Sequence, residues 1–176
     1  MLLGLDVSTS CTGFTVLDDN GKICELGAID LKNKKIYSNM FSKAINIRNV
    51  LKMIGTKYNI SHIYIEPALV LFQAGKSSAT TISTLLKFNG IVSYICFEEF
   101  GKIPQYIPAS MARKTCGIKI EKGSKAKVLT MEHWLKTEPD FSKIVEYTKN
   151  GNIKPEYFDI SDSLTIVKAG YLLYEK

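Results

Sequence analysis

The amino-terminal stretch from Leu2 to Leu17 constrains the fold more than any other part of the chain. It predicts an apolar strand over 2–7, a turn of small hydroxyl residues, and a second strand over 12–18. Asp6 lies near the end of the first strand, and a carboxylate there is costly to bury unless a cation or hydrogen bonds compensate it. We therefore expect the protein to be organised around the groups that meet Asp6.

The elements that follow extend this pair of strands into an antiparallel meander. Asp18-Asp19-Asn20-Gly21 is a strong turn sequence, because Asn-Gly supplies the positive backbone angles that a tight hairpin requires. The residues after it predict a third strand over 22–31. Helical spacing of apolar residues, including Phe41 and Ile45, then predicts a helix over 39–58.

A second acidic residue ends the next predicted strand. Residues 62–66 form a short, apolar strand that ends in Glu66 and is closed by Pro67. Because a helix separates it from the meander, this strand can pair in parallel with the first one. Glu66 would then lie beside Asp6 at the carboxyl ends of neighbouring strands, where ligand sites of α/β sheets commonly form.

The rest of the chain alternates helices with one short strand. Helices are predicted over 77–98, 110–116 and 125–136, with a strand near 104–108. Ser124 is the expected N-cap of the third helix, and Asp159 that of a final helix. Asp162 follows Asp159 by three positions, so the two carboxylates point roughly the same way. We expect a single α/β domain over residues 1–176, with Trp134 and Phe141 in its core.

Composition excludes several classes of protein. The chain is 45% hydrophobic but has no apolar run long enough to cross a membrane, so a cytoplasmic protein without membrane contact is expected. Its cysteines lack metal-ligand spacing and are interpreted as buried thiols: Cys11, Cys24, Cys96 and Cys116. Gly75-Lys76-Ser77 is not a phosphate-binding P-loop, because Val70 occupies the position of its required first glycine.

The charge balance favours a polyanionic substrate. Lysine and arginine number 23 against 17 acidic residues, a net charge of +6. If several acids gather in one site, the remaining surface is more basic than this total indicates. A basic surface around an acidic pocket suits a polyanion that is held electrostatically and cut at a metal centre.

Four carboxylates are the candidates for that centre: Asp6, Glu66, Asp159 and Asp162. Gathered without cations, they would repel one another and destabilise the fold. Oxygen-only ligands suit Mg²⁺, or Mn²⁺ as a substitute. Two such ions about 4 Å apart can activate a water molecule and stabilise the leaving oxygen of a phosphodiester.

Three motifs together resemble the RuvC family, the Holliday junction resolvases of the RNase H-like nuclease superfamily. They are Leu3–Gly13, Ile63–Pro67 and Asp159–Leu164, in the order in which the family carries its acidic residues. The resemblance implies an RNase H-like α/β fold whose mixed five-stranded sheet, an antiparallel meander plus parallel strands, is flanked by helices. It also implies a Mg²⁺-dependent crossover junction endodeoxyribonuclease of DNA recombination and repair, acting as a homodimer on four-way junctions. A broader branched-DNA nuclease, of the kind that viruses encode within this family, is compatible with the same motifs.

The resemblance also assigns roles to individual residues. The four acids would bind two Mg²⁺ ions, and the helix over 77–98 would form the dimer interface. Lys125 matches a lysine near the scissile phosphate, and the second basic residue there is either Arg113 or Lys114. The remaining DNA contacts would come from Lys119, Lys122 and Lys127, and from Leu69 and Phe72 near the family's aromatic wedge.

Three other functions remain compatible with the sequence. An RNase H-type ribonuclease would use the same acids on an RNA–DNA hybrid. A non-catalytic junction-binding protein would keep the acids for structural reasons. A sugar-kinase or actin-like ATPase has a first strand and turn of similar sequence. Such proteins generally need two lobes that each begin in this way, and this chain is long enough for one. No nucleotide cofactor is therefore expected.

Overall fold

The computed structural model describes residues 1–68, 79–121 and 123–175. A five-stranded mixed sheet forms its centre, in the order β3-β2-β1-β4-β5. The strands are β1 (Leu2–Asp6), β2 (Cys11–Leu17), β3 (Ile23–Asp30), β4 (His62–Ile65) and β5 (Gln105–Tyr106). The first three pair antiparallel, and β4 pairs in parallel with both β1 and β5. The predicted mixed sheet is therefore confirmed.

Helices flank both faces of this sheet. They are α1 (Met40–Lys57), α2 (Ala79–Phe100), α3 (Ala109–Thr115), α4 (Ala126–Thr137), α5 (Pro139–Ser142) and α6 (Glu156–Gly170), the last continuing into a π-helical turn, Tyr171–Glu175. No helix in the described part of the chain is both long and apolar enough to span a membrane.

The sheet separates the core into two halves. Residues of α1 and α2 pack with one set of strand side chains, including Leu3 and Leu5. Residues of α3, α4 and α6 pack with the other set, including Leu2 and Tyr64. Successive strand side chains point to opposite faces, so β1 is buried on both sides. A strand of this kind reads as a continuous apolar run, which makes Asp6 at its end conspicuous.

The register of β1 brings the two strand-end acids to one edge. Asp6 pairs with Gly13 of β2, while Leu5 pairs with Ile65 of β4. The backbone N–H of Glu66 then donates to the Leu5 carbonyl at 3.3 Å. Asp6 and Glu66 therefore follow adjacent parallel strand ends, as the sequence predicts.

Helix α6 lies directly against this part of the sheet because glycines clear its path. A Cβ atom built on Gly13 would lie 2.0 Å from the Asp159 carbonyl oxygen. Further along the helix, the Thr15 and Ser163 hydroxyls share a buried hydrogen bond of 2.8 Å. Because of this close approach, the backbone of α6 packs directly against β2. Asp159 and Asp162 therefore lie at the edge of the sheet where Asp6 lies.

Several predicted details are wrong. Helix α6 begins at Glu156, so Asp159 lies within its first turn and is not its N-cap. Lys125 occupies the N-cap position of α4, because the Ser124 hydroxyl instead donates to the Glu121 carbonyl at 2.6 Å. Phe41 and Ile45 are exposed, while the buried face of α1 consists of Ala44, Ile47, Leu51 and Ile54.

The predicted burial is confirmed for the two aromatic residues but only in part for the cysteines. Trp134 and Phe141 are buried as predicted, and the Trp134 indole donates to the Thr165 hydroxyl at 2.8 Å. All four cysteines are free thiols, but only Cys11 and Cys96 are buried as predicted. Cys116 is half-buried, and Cys24 is exposed because it lies on the outermost strand, β3. Burial and a hydrogen bond to Asp159 raise the pKa of the Cys11 thiol to about 12.

Candidate active site

Three carboxylates meet in one cavity at the carboxyl end of β1 and β4. Asp6, Glu66 and Asp162 line this cavity of about 330 Å³, together with the cationic side chains of Arg113 and Lys127. The structure thus brings together three of the four predicted acids. The fourth, Asp159, joins them through Lys127, because its Oδ1 lies 3.2 Å from the Lys127 Nζ.

The carboxylates destabilise one another's charged form. Burial raises the pKa of Asp6 well above its ordinary value, and the nearby charges of Asp162 and Glu66 raise it further. Burial also raises the pKa of Glu66, followed by the charge of Asp162. Buried acids that repel each other in this way need cations to remain ionised. Such a centre is a candidate functional site on physical grounds.

Lys127 supplies one of these cations. Its Nζ lies 3.1 Å from Asp162 Oδ2 and bridges to Asp159. Burial opposes the ammonium charge, but the carboxylates of Asp162, Asp6 and Asp159 outweigh burial and raise the pKa of Lys127. The Lys127 side chain is nevertheless 54% exposed, so it reaches the acids from the solvent side.

Arg113 supplies the second cation from a more buried position. Its Nη2 lies 3.4 Å from Asp162 Oδ1, while its Nε donates to the Thr130 hydroxyl at 3.1 Å. That hydroxyl in turn donates to the Ala126 carbonyl within α4. Arg113 is thus fixed between α3, α4 and α6. Its side chain has less freedom to move than that of Lys127.

A buried amide holds the strand end that carries Glu66. The Asn89 Nδ2 donates to the Glu66 carbonyl at 2.9 Å, and the Ser93 hydroxyl donates to the Asn89 carbonyl at 2.8 Å. Asn89 is 94% buried in α2, so this contact is shielded from competing water. It links the predicted interface helix to one of the predicted metal ligands.

The site as it stands is neutralised by side chains. Among the described residues, no group of three or more His, Cys, Asp or Glu side chains is arranged to hold a metal ion. The donor chemistry nevertheless fits a hard divalent cation, because every acid offers only oxygen and because burial, and then the neighbouring carboxylates, raise the pKa of Asp6 and of Glu66. Binding would require Lys127 to give up its ion pairs and the carboxylates to turn inward.

The predicted DNA-contacting residues lie in different surroundings. Arg113 faces the acids whereas Lys114 is exposed, which separates the two residues that the sequence could not rank. Lys125 is exposed and pairs with none of the described acidic residues, while Lys127, two positions on, joins the acidic centre. Lys119 is exposed. The predictions for Leu69, Phe72 and Lys122 concern positions outside the described residues.

The positions of three residues in the site were not predicted from the sequence. Sequence reasoning assigned Lys127 only a contact with DNA, although Lys127 is part of the acidic centre. It gave no role to Thr130 or Asn89, which position Arg113 and the Glu66 backbone. A buried asparagine within an otherwise apolar helix stretch is a signal that could have identified Asn89.

Comparison with known proteins identifies the architecture. No family model matches the sequence, and no curated protein matches it. Among solved structures, RuvC from Thermus thermophilus matches with a TM-score of 0.62 and 13% identity, over 97% of this chain and 93% of that one. The fold is that of RuvC.

Two further structures agree with this result. RuvC from T. thermophilus in complex with a Holliday junction substrate has a TM-score of 0.60 at 10% identity, covering 97% of this chain and 92% of that one. The yeast mitochondrial Holliday junction resolvase Ydc2 has a TM-score of 0.59 at 14% identity, covering 97% and 77%. The RuvC-like fold therefore extends over almost the whole chain.

Proposed function

We propose that this protein is a metal-dependent endonuclease that resolves Holliday junctions or other branched DNA by two-metal phosphodiester hydrolysis. The observation that carries the proposal is the meeting of Asp6, Glu66 and Asp162 in one cavity of a RuvC-like fold. Of the solved structures compared above, yeast Ydc2 is a Holliday junction resolvase and one RuvC structure holds a Holliday junction substrate. Together they support a nuclease that acts on branched DNA.

The acidic residues would hold the metal. Asp6, Glu66, Asp159 and Asp162 would bind two Mg²⁺ ions, with Mn²⁺ as a substitute. When bound, Mg²⁺ supplies water activation and Lewis-acid stabilisation of the leaving oxygen. Burial, and then the neighbouring carboxylates, raise the pKa of Asp6 and of Glu66, which supports this assignment because divalent cations stabilise the ionised form of such acids.

The basic residues would hold the DNA phosphate. Lys127 is half exposed and its acid partners are the proposed ligands, so metal binding would release its ammonium towards solvent and the phosphate. Arg113 stays tethered to Thr130 and would keep Asp162 oriented. Lys125, exposed at the start of α4, would contact the backbone from outside the cavity.

We further propose a homodimer formed through α2. Leu86, Tyr94 and Phe97 are exposed on this helix at positions that recur along one side, and a Cβ atom on Gly90 between them would meet nothing within 4 Å. A second copy of this helix is the natural partner for such a stripe, because small residues allow close helix approach. Two active sites could then act on two strands of one junction.

Cleavage of a substrate panel tests the proposed function. Four-way junctions, flaps, RNA–DNA hybrids and linear duplexes are incubated with the protein and Mg²⁺ or Mn²⁺, and we expect selective nicking of branched DNA. Asp6→Asn should reduce cleavage on the order of 10²–10³-fold, the scale of losing one preorganised electrostatic group. Asp140→Asn is the matched control, since Asp140 is an exposed acid paired only with Lys143 among the described residues.

The result on junctions should also separate cutting from binding. Asp6→Asn removes a negative charge, so junction affinity should stay the same or rise while cleavage falls. Equal cleavage by Asp6→Asn and the wild-type protein would reject the site. Preferential cutting of RNA–DNA hybrids would instead assign the protein as an RNase H-type ribonuclease.

A non-catalytic junction-binding protein is the second candidate, and one observation favours it. Lys127 and Arg113 already neutralise the acids without metal. Such a protein would bind four-way junctions equally well in Mg²⁺ and in chelator, and it would leave every strand intact. The endonuclease would cut the junction only in the presence of the metal.

A further inference from the structure

A second cavity lies beside the acidic one. It occupies about 620 Å³ between α3, the chain that follows it and the start of α4, and its lining includes Arg113, Lys114, Ile118, Lys119, Ile120 and Ala126. Its size falls within the range of small-ligand pockets. Of the residues assigned above to the acidic cavity, only Arg113 also lines this second cavity.

The wall of this cavity is apolar. Ile118 is buried beneath it, whereas Ile120 is 41% exposed, a large solvent-facing area for an isoleucine. Gly117 turns the chain between α3 and this wall with a φ of +73°, a conformation that favours glycine, and a Cβ atom there would meet nothing within 4 Å. The turn therefore leaves open space at Gly117, which lines the same cavity as the two isoleucines.

The rim of the cavity is cationic and uncompensated. Lys114 and Lys119 are both exposed. Neither forms an ion pair with an acid among the described residues, unlike Lys127 in the neighbouring cavity. Apolar walls with free ammonium groups at the rim match a ligand that has a flat, weakly polar face and an attached anion.

The two cavities share one lining residue. Arg113 lines both of them and contacts Asp162 in the acidic one. A DNA strand whose phosphate lies at the acids would therefore pass its neighbouring nucleotide towards the second cavity. This inference rests on the proposed function, because it requires DNA to be held at the acids.

We propose that the second cavity receives one unpaired nucleotide adjacent to the cleaved phosphate. Its base would lie against Ile118 and Ile120, and its phosphate would contact Lys114 and Lys119. A paired base within a duplex hides both faces in the stack, so only a nucleotide released at the branch can use an apolar wall. The cavity thus selects strands that open at a junction.

Fluorescence of 2-aminopurine tests this proposal, because the base brightens when it leaves the stack. Four-way junctions carrying 2-aminopurine at each position around the branch point are bound to the full-length protein in chelator, so that no strand is cut. We expect fluorescence to rise at one position, and Ile120→Ser to lose more than half of the rise. Ile144→Ser is the matched control, since Ile144 is 39% exposed and lies outside the cavity.

The outcomes separate the cavity from the proposed function. Cleavage of the same junctions is measured with Mg²⁺ on each preparation, and junction affinity is measured in chelator. Cleavage without a fluorescence rise, or an equal rise in both isoleucine variants, would overturn the nucleotide cavity and leave the nuclease in place. Failure to bind or cut any junction would overturn both. A rise that Ile120→Ser alone diminishes, with folding unchanged by circular dichroism, supports the cavity.

Discussion

The two cavities that share Arg113 differ in how their charges are compensated. In the acidic cavity the charges are buried and paired internally, with Lys127 and Arg113 opposing Asp162. In the neighbouring cavity Lys114 and Lys119 face solvent. Buried charges depend on their partners because desolvation is costly, whereas exposed charges are screened by water. Substitutions of charged residues in the acidic cavity should therefore lower the stability of the fold as well as impair function. Substitutions of the two lysines in the second cavity should affect ligand binding alone.

The largest expected effect concerns the glycine that lets α6 reach the acidic cavity. Gly13→Ala would place a Cβ atom 2.0 Å from the Asp159 carbonyl oxygen, a backbone atom that cannot rotate away. We expect a loss of about 3 kcal/mol in the free energy of unfolding, at the upper end for overpacking, and loss of cleavage. Urea denaturation measures the first and a junction assay the second.

A second glycine provides the control for that change. Within a single chain Gly90→Ala lies on an open face of α2, so at protein concentrations too low for dimer formation alanine should stabilise the helix by up to about 1 kcal/mol. If Gly13→Ala were as stable as Gly90→Ala, α6 would not be held against β2 as described. The acids would then lack the fixed geometry that the proposed site requires.

Lysine substitutions compare the two cavities directly. In chelator at neutral pH, Lys127→Ala should lower the free energy of unfolding by about 1–3 kcal/mol, because it leaves buried Asp162 with fewer cations; the half-exposed position of Lys127 reduces the effect. Lys119→Ala should change it by less than about 0.5 kcal/mol. Excess Mg²⁺ should restore the stability of Lys127→Ala, since the ion replaces the lost positive charge.

Urea denaturation of both variants, with and without Mg²⁺, provides the measurement. Equal losses for Lys127→Ala and Lys119→Ala would remove the distinction between the two cavities. A loss that Mg²⁺ does not restore would indicate that Lys127 stabilises packing and not the charge of the acids.

The pH dependence of stability gives a smaller effect in the same cavity. The pKa of Asp6 is raised, chiefly by burial and then by Asp162 and Glu66, so the folded protein holds its proton to higher pH than the unfolded chain does. The free energy of unfolding should therefore fall as the pH rises from about 4 through the raised pKa. One such group contributes a slope of at most about 1.4 kcal/mol per pH unit.

Comparison with Asp6→Asn isolates this contribution. The variant should lose less stability over the same pH range in chelator, because it removes both the titrating group and its repulsion of Glu66. Urea denaturation at a series of pH values measures the difference between the two proteins. Identical slopes would show that ionising the Asp6 carboxyl costs no more free energy in the folded protein than in the unfolded chain.

The sheet and its acids were predictable because strand patterns are local. An apolar run that ends in Asp6, a hairpin turn and a helix before the next strand together specify the pairing of β1 with β4. Glu66 then reaches Asp6 through register alone. Nothing in that inference depends on how a helix rotates about its axis.

The cationic side of the site was less predictable because it depends on helix phase. Side chains advance by about 100° per residue around a helix, so which of Lys125 and Lys127 faces α6 depends on where α4 begins and how it docks. The sequence favoured Ser124 as the N-cap, whereas Lys125 occupies that position and Lys127 turns towards the acids. Likewise, α6 begins before Asp159, which leaves that carboxylate free to pair with Lys127.

The central claim is that the acids of this RuvC-like fold form a metal centre, and direct metal titration tests it most directly. Mn²⁺ is titrated into the chelator-treated protein without DNA, and bound ions are counted by calorimetry and electron paramagnetic resonance. We predict two ions per chain in the wild-type protein and in Asp140→Asn. Asp6→Asn should bind them more weakly by about 10-fold or more, since losing a ligand costs at least as much as losing a residue that orients one. The same Mn²⁺ binding by the wild-type protein and Asp6→Asn, or none by either, would contradict the account.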